Sequence, residues 1–276
     1  MNPNRAPATS PLALGASVWS HRPLIWQLVK REILGRYRGS IFGLAWSFFN
    51  PILMLVVYTF VFSVIFEAKW GQVRNGSRTD FAMLLFIGLI VHGFFAECLN
   101  RAPSLILQNV NFVKKVVFPL EILPLVVMGS ALFHTMISFL VLIVALLISR
   151  GSLPITVWYA PLIFFPLLLA AAGFSWFLAS LGVFARDVSQ IIGIATSVLL
   201  FLSPVFYPIS AVPEAFRSLL LANPLTFIIE QSRAVVFFGF GPDWLGMLVY
   251  LIFSVLIAWL GFAWFQKTRK GFADVV

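Results

Sequence analysis

Long apolar runs, separated by short polar or basic segments, dominate this sequence. Each run is roughly 20 or more residues long, enough for a helix to cross about 30 Å of hydrocarbon. The pattern predicts an all-α integral membrane protein with six transmembrane helices, at residues 41–66, 81–99, 120–148, 155–184, 189–206 and 244–265. The longest runs imply tilted helices or helices that extend beyond the bilayer. No soluble domain interrupts them, so residues 23–276 are predicted to form a single transmembrane domain.

The segment before the first span has a different, amphipathic pattern. Residues 23–37 place apolar side chains such as Leu28 on one helical face and polar ones such as Lys30 on the other. This pattern predicts a helix along the cytoplasmic membrane surface, with Trp26 at headgroup depth. The alternative is the frayed start of the first span. Residues 1–22 are polar and rich in Pro and Ser, which predicts a disordered cytoplasmic tail.

The predicted cytoplasmic loop at residues 101–119 contains a helix start signal, Pro103 followed by Ser104. A short helix there would present apolar and uncharged polar side chains to a partner protein. The docking candidates are Leu105, Ile106, Gln108, Asn109 and Asn111. A plain surface loop is the alternative.

The segment between the last two spans is too apolar for an aqueous loop. Residues 222–238 nevertheless contain Glu230 and Arg233, whose i,i+3 spacing lets them pair on one helix face. We predict re-entrant helices that enter from the outside, since such backbone at membrane depth is tolerated only within protein or beside a water-filled cavity. A seventh span is the alternative, but it would carry the basic C-terminal residues outside.

Charge fixes the expected orientation. Only 11% of the residues are charged and 61% are hydrophobic, against about 25% and about 45–50% in soluble domains. The net charge of +9 is spread between the apolar runs, which argues against a nucleic-acid partner. With the N-terminus inside, thirteen of the nineteen Lys and Arg residues are cytoplasmic. The positive-inside rule therefore predicts an inner-membrane protein with both termini in the cytoplasm.

Several absences narrow the chemistry. No GxxxxGK(S/T) motif occurs, so nucleotide hydrolysis is expected to belong to a separate subunit and the chain is predicted not to be an enzyme. The acidic residues are isolated, unlike the clusters that hold magnesium in membrane glycan transferases. The spans contain almost no ionisable groups, which argues against an ion-coupled carrier or channel. His92 and His134 are predicted to form interhelical hydrogen bonds.

Aromatic residues are the positive signal, with 30 Phe, 9 Trp and 5 Tyr. Many are expected to face lipid or to form belts at the interfaces. Flat aromatic faces also stack on the C–H faces of sugar rings without holding them in place, which suits a sliding polymer. The candidates for lining a path are Trp46, Phe49, Tyr58, Phe201, Phe206 and Tyr207.

Several motifs carry a family resemblance. They are LVKREILGRYRGSIFGLAWSFFNPILMLVVYTFVF (28–62), LGVFARDVSQ (181–190), SPVFYPIS (203–210), NPLTFIIEQSR (223–233) and KGFADVV (270–276). Together they resemble polysaccharide-export ABC transporter permeases, the exporters of O-antigen, capsule and teichoic acid within the type-2 ABC exporter superfamily. The resemblance extends over nearly the whole chain from Trp26 onward.

The resemblance implies a homodimeric permease with two copies of an ATPase subunit, which hold the ATP and Mg²⁺; no cofactor is expected in this chain. Residues 23–37 then match an interface helix, 101–111 a coupling helix, and 213–238 a periplasmic gate that contains Glu230 and Arg233. Spans one and five would line the channel and form the dimer seam.

The implied substrate is a glycan linked to undecaprenyl diphosphate, with O-antigen preferred and capsule, teichoic acid, drugs or small lipids as alternatives. The lipid diphosphate would meet basic residues, for which the candidates are Arg36, Arg38, Lys114 and Lys115. Ordinary positive-inside topology explains the same four residues equally well.

Overall fold

The computed structural model describes residues 9–65, 78–114 and 118–275, and within these ranges the chain is helical with no strand. The α-helices are α1 Pro11–Arg36, α2 Trp46–Tyr58, α3 Arg78–Arg101, α4 Leu105–Gln108, α5 Val110–Val113, α6 Leu123–Arg150, α7 Ala160–Phe184, α8 Val188–Leu202, α9 Glu214–Leu221, α10 Pro224–Arg233, α11 Trp244–Thr268 and α12 Phe272–Val275. Two π-helical segments, Thr59–Ile65 and Ala234–Phe238, continue α2 and α10.

Five helical stretches in the described residues are long and apolar enough to cross a membrane. They are Gly43–Phe62, Thr79–Arg101, Leu120–Arg150, Ile155–Phe184 and Trp244–Val275. They coincide with five of the six predicted spans, and the stretch Ile155–Phe184 matches its prediction at both ends.

The predicted span at residues 189–206 is shorter in the structure. Helix α8 has 15 residues, which is about 22 Å of helix and less than the roughly 30 Å of a hydrocarbon core. It ends at Leu202 because Pro204 follows: a proline disfavours helical backbone in the residue before it, and Ser203 is extended. The predicted apolar helix is present at this place, but it ends four residues earlier than residue 206.

Helix α3 is the centre of the bundle. In its apolar window 78% of the residues are buried, against 11% in the window of α2. Helices α6, α7, α8 and α10 all pack around α3. His92 on α3 forms a hydrogen bond of 2.9 Å through Nε2 to the carbonyl oxygen of Thr196 on α8, which confirms the predicted interhelical role. Most of the apolar surface of α2 is not covered by the rest of the chain.

Helices α7 and α11 form the most extensive pair in the structure and run side by side in the same direction. They meet at glycines. A Cβ atom on Gly173 would lie 2.4 Å from the carbonyl oxygen of Ile257, and one on Gly261 would lie 2.0 Å from that of Gly173. Only glycine permits such close backbone approach, as in small-residue contacts between membrane helices.

Helix α1 begins much earlier than predicted, so the expected disordered tail at residues 1–22 was wrong from Pro11 onward; residues 1–8 lie outside the described part. The Ser10 side chain accepts a hydrogen bond from the Ala13 backbone N–H and so caps the helix. Leu14 and Val18 pack against buried residues of the bundle. This apolar contact stabilises a helix that the local composition alone did not predict.

Glu121 joins three distant parts of the chain. Its Oε1 accepts a hydrogen bond of 3.0 Å from the Ser17 hydroxyl on α1, and its Oε2 lies 2.8 Å from Arg269 Nη1 near the C-terminus. Its backbone carbonyl accepts a hydrogen bond from the indole N–H of Trp176 on α7. The start of the third predicted span is thereby tied to both ends of the described chain.

Candidate functional site

The predicted docking helix is present as two short helices, α4 and α5, which are divided at Asn109. The Asn109 side chain donates to the carbonyl oxygen of Leu105 at 2.8 Å. The segment rests on α7, where a Cβ atom on Gly182 would lie 2.0 Å from the carbonyl oxygen of Pro103. This close backbone packing holds the α4–α5 segment against α7.

The docking candidates divide into two groups. Leu105 and Ile106 are buried among residues of α7 and α11, so their side chains do not face a partner and that part of the prediction was wrong. The apolar face of an amphipathic helix packs against the core of its own protein, so these side chains are not available to a partner. Gln108 and Asn111 are exposed, and Asn109 is half-buried. These three amides form the available polar surface of the segment.

Four charged side chains join the end of α1 to the end of α3. Arg36 Nη1 lies 2.6 Å from Glu97 Oε1, and Arg101 forms an ion pair with Glu32. Arg101 Nη1 also lies 3.8 Å from Glu97 Oε1. We call Glu32, Arg36, Glu97 and Arg101 the four-charge clamp. Because Arg101 is immediately followed by the α4–α5 segment, the clamp connects that segment to α1.

Tyr37 and His134 form a second contact between α1 and α6. The Tyr37 hydroxyl lies 3.3 Å from His134 Nδ1, and the two rings meet edge to face. Burial raises the pKa of the Tyr37 hydroxyl above its ordinary value; the nearby Arg36 opposes this rise and Glu97 adds to it. Tyr37 therefore stays neutral near pH 7 and acts as a hydrogen-bonding group.

The candidate cations have different surroundings. Arg36 is engaged in the four-charge clamp. Arg38 and Lys114 are exposed and have no salt-bridge partner among the described residues. Lys115 lies outside the described residues. Arg38, Lys30 and Arg31 line one groove together with Gln27, Leu34 and Gly35, so α1 presents a cationic surface there.

The aromatic candidates form two groups. On α2, Trp46 and Phe49 pack edge to face at 5.1 Å between ring centroids, and both are exposed. The second group lies beyond the C-terminal end of α2. There Phe201 stacks on Phe206 at 5.6 Å between ring centroids, and Phe206 stacks on Phe62 at 6.1 Å.

Two tyrosines extend this second group. Tyr58 lies 6.5 Å from Phe62 between ring centroids, and the Tyr207 hydroxyl donates to the carbonyl oxygen of Phe201 at 2.7 Å. The structure thus brings the predicted residues of spans one and five together through Phe62, which was not predicted.

The predicted Glu230–Arg233 pair is confirmed, with Arg233 Nη1 at 2.9 Å from Glu230 Oε1. The Arg233 side chain is only 1% exposed. Its Nε donates to the carbonyl oxygen of Leu84 on α3, and its Nη2 donates to that of Val205, both at 3.0 Å. We call Arg233, Glu230 and these two carbonyl groups the Arg233 socket. It fastens α10 to α3 and to the turn after α8.

Of the four-charge clamp, only Arg36 was among the candidates named from the sequence. Glu32 and Arg36 are four residues apart on α1, and Glu97 and Arg101 are four apart on α3. This i,i+4 spacing on two helices was an available signal. The spacing does not show which residue pairs with which across the two helices, because that depends on how α1 crosses α3.

Among the described residues, no group of three or more His, Cys, Asp or Glu side chains is placed to hold a metal.

Comparisons with known proteins agree on one class. A family model described as ABC-2 type transporter matches residues 23–237. The chain is 28% identical over 270 residues to the O-antigen export system permease protein RfbA of Myxococcus xanthus, covering 96% of this chain and 100% of that protein. It is 25% identical to the RfbA permease of Klebsiella pneumoniae (92% and 95% covered) and 25% identical to the polysialic acid transport protein KpsM of Escherichia coli (88% and 92% covered).

Proposed function

This chain belongs to the ABC-2 type transporter family, and from that premise we propose that it is the transmembrane subunit of an ATP-driven polysaccharide exporter. Its substrate is a glycan on undecaprenyl diphosphate, moved from the cytoplasm to the periplasm across the inner membrane. O-antigen is preferred over capsule because the O-antigen permease of Myxococcus xanthus matches at 28% identity over 96% of the chain, against 25% over 88% for KpsM and 20% over 92% for the capsule export protein CtrC.

The observation that carries the proposal is the exposed aromatic surface of α2 together with the stacking of Phe62, in the π-helical segment after α2, on Phe206 after α8. Trp46 and Phe49 are exposed on α2, and Phe201 in the last turn of α8 is 65% exposed. A neutral polymer needs a path that contacts its rings weakly and repeatedly. Aromatic faces supply such contacts. We propose that Trp46, Phe49, Tyr58, Phe201, Phe206 and Tyr207 line this path.

The proposed layout has six spans, with α8 as the short fifth, and both termini in the cytoplasm. Residues 23–276 form one permease domain. Two copies pair through spans one and five, which accounts for the small buried share of α2 in the single chain. Two copies of an ATPase subunit bind on the cytoplasmic side, and they hold ATP and Mg²⁺. This chain holds no cofactor.

We assign ATPase docking to the amides of Gln108, Asn109 and Asn111 on the α4–α5 segment. Helices α9 and α10 form the periplasmic gate, which Glu230 and Arg233 hold in place. The diphosphate is attracted by cations on the cytoplasmic side. Its candidates remain Arg36, Arg38, Lys114 and Lys115, and the exposed Arg38 and Lys114 are the better placed because Arg36 already has a carboxylate partner.

The test is complementation of a strain that lacks this gene. Surface glycan, detected with a specific antibody, should return with the wild-type chain, and an ATPase subunit should co-purify with it. Gln108→Glu should abolish co-purification and surface glycan while the permease stays folded, as judged by size-exclusion chromatography. Ser152→Glu adds the same charge at an exposed position between α6 and α7 and should behave as wild type. Normal export by Gln108→Glu would contradict the docking assignment.

Other functions predict different results. A type-2 exporter of drugs or small lipids would leave surface glycan unchanged on deletion and alter drug sensitivity instead. An ion-coupled carrier would continue to export when ATP is depleted and the ion gradient is kept. Either result would replace the proposal.

A further inference from the structure

A polar cavity lies where the end of α1 meets α2, α3 and α6. Its volume is about 320 Å³, and its lining includes Tyr37, Trp46, Asn50, Glu97, His134 and Ser138. This volume is at the lower end of the range of about 300–1,000 Å³ that is typical of small-molecule sites. A single sugar ring is a suitable occupant for a cavity of this size.

The lining combines a flat aromatic face with hydrogen-bonding groups. Trp46 is 40% exposed, and its ring is held edge to face by Phe42 at 5.7 Å and by Phe49 at 5.1 Å. Asn50 lies four residues further along α2, so the two side chains share one helix face. An indole face offers the C–H surface of a pyranose a stacking partner, and the amide offers its hydroxyl groups a donor and an acceptor.

Much of the hydrogen-bonding capacity around the cavity is unused. Both arginines of the four-charge clamp approach Glu97 through Oε1, and Glu97 Oε2 has no hydrogen-bond partner within the described residues. The Asn50 amide makes no hydrogen bond to the described part of the chain. His134 Nε2 is buried and has no partner there either. Half-buried polar groups are normally satisfied, so the unused acceptor of Glu97, with the unpaired amide of the exposed Asn50 beside it, points to a polar occupant.

We propose that this cavity binds the sugar ring that is attached directly to the diphosphate of the lipid-linked substrate. The inference rests on the proposed function and names the part of the substrate that is held first. Arg36 lines this cavity and also a neighbouring groove of about 530 Å³, whose other lining residues are Arg31, Arg101, Gly35 and Glu32. Three arginines against one glutamate leave the groove cationic. A sugar bonded to a diphosphate requires two adjoining sites of this kind, one for hydroxyl groups and one for anionic oxygens.

The experiment compares two probes, a short-chain polyprenyl diphosphate and the same molecule with one hexose on its terminal phosphate. Binding is measured by native mass spectrometry on the permease–ATPase complex in nanodiscs. Asn50→Leu and Trp46→Leu should weaken binding of the sugar-bearing probe by about tenfold and leave the sugar-free probe unchanged. Phe48→Leu, an exposed neighbour on α2 that does not line the cavity, should change neither. Arg31→Gln, in the neighbouring groove, should weaken both probes.

Equal affinity of wild type and Asn50→Leu for the sugar-bearing probe would overturn the sugar site. So would an equal loss for both probes, which would indicate a general distortion. Asn50 is exposed and makes no hydrogen bond within the described residues, so this variant decides the case even if Trp46→Leu does not fold. Failure of the wild-type complex to bind either probe would instead count against the proposed function itself.

Discussion

The four-charge clamp and the Arg233 socket both use arginine and glutamate to join separate helices, but in opposite surroundings. The clamp side chains are 21–51% exposed, whereas Arg233 is 1% exposed. A buried guanidinium is costly to desolvate and persists only when its donors are satisfied, which Leu84, Val205 and Glu230 accomplish. An exposed pair contributes little and rearranges at low cost. The socket is therefore suited to hold helices fixed, and the clamp is suited to let them move.

The largest expected effect comes from Arg233→Met. Removal of the guanidinium takes one donor from each of two buried carbonyl groups and breaks the ion pair with Glu230, and we expect a loss of about 3–5 kcal/mol in stability. The measurement is the melting temperature in detergent, followed by fluorescence-detected size-exclusion chromatography. Arg217→Met is the matched control, because Arg217 also donates to backbone carbonyl groups but is 39% exposed. Equal melting temperatures for the two variants would remove the distinction between buried and exposed arginines.

Crowding the socket without removing any charge should have an intermediate effect. A Cβ atom on Gly88 would lie 3.2 Å from both Arg233 Nη2 and the Val205 Cα, so Gly88→Val forces the guanidinium or the turn after α8 to shift. We expect a loss of about 1–3 kcal/mol. Gly93→Val on the same helix has no neighbour within 4 Å of the added Cβ and should cost clearly less. A larger loss of stability for Gly93→Val than for Gly88→Val would show that Gly88 does not support the socket.

The smallest effect on stability is expected at the four-charge clamp. In a double-mutant cycle of Glu32→Gln and Arg101→Gln, the coupling energy should be about 0.2–1 kcal/mol. Export should nevertheless fall several-fold in each single variant, because the link from the α4–α5 segment to α1 is weakened. Melting temperature and the rate of surface glycan appearance are measured on the same four proteins. A large coupling energy with normal export would make the clamp a structural support instead.

The sequence predicted the parts of the fold that depend on local pattern. The run at 155–184 is apolar throughout and its ends are defined by polar neighbours, so both limits agree with the structure. The Glu230–Arg233 pair follows from spacing on one helix. The length of α8 could also have been inferred, because Pro204 is visible in the sequence.

Features that depend on packing were not predictable. Leu105 and Ile106 were assigned to a partner, but they are buried against α7, and nothing local tells one apolar face from another. The helix from Pro11 depends on contacts of Leu14 and Val18 with distant elements. The same holds for Glu32 and Arg101, which are 69 positions apart. The polar cavity is assembled from four helices, so no single segment of the sequence indicates it.

The contacts of Glu121 make the two extremities of the polypeptide interdependent. Ser17 and Arg269 bind opposite oxygens of this one carboxylate, so a shortened C-terminus that lacks Arg269 leaves an acidic group with one partner fewer beside α1. A fusion or affinity tag that pulls on the last residues would therefore disturb the beginning of the protein as well as its end. A tag on this side of the protein is better joined through a long flexible linker than placed directly after α12.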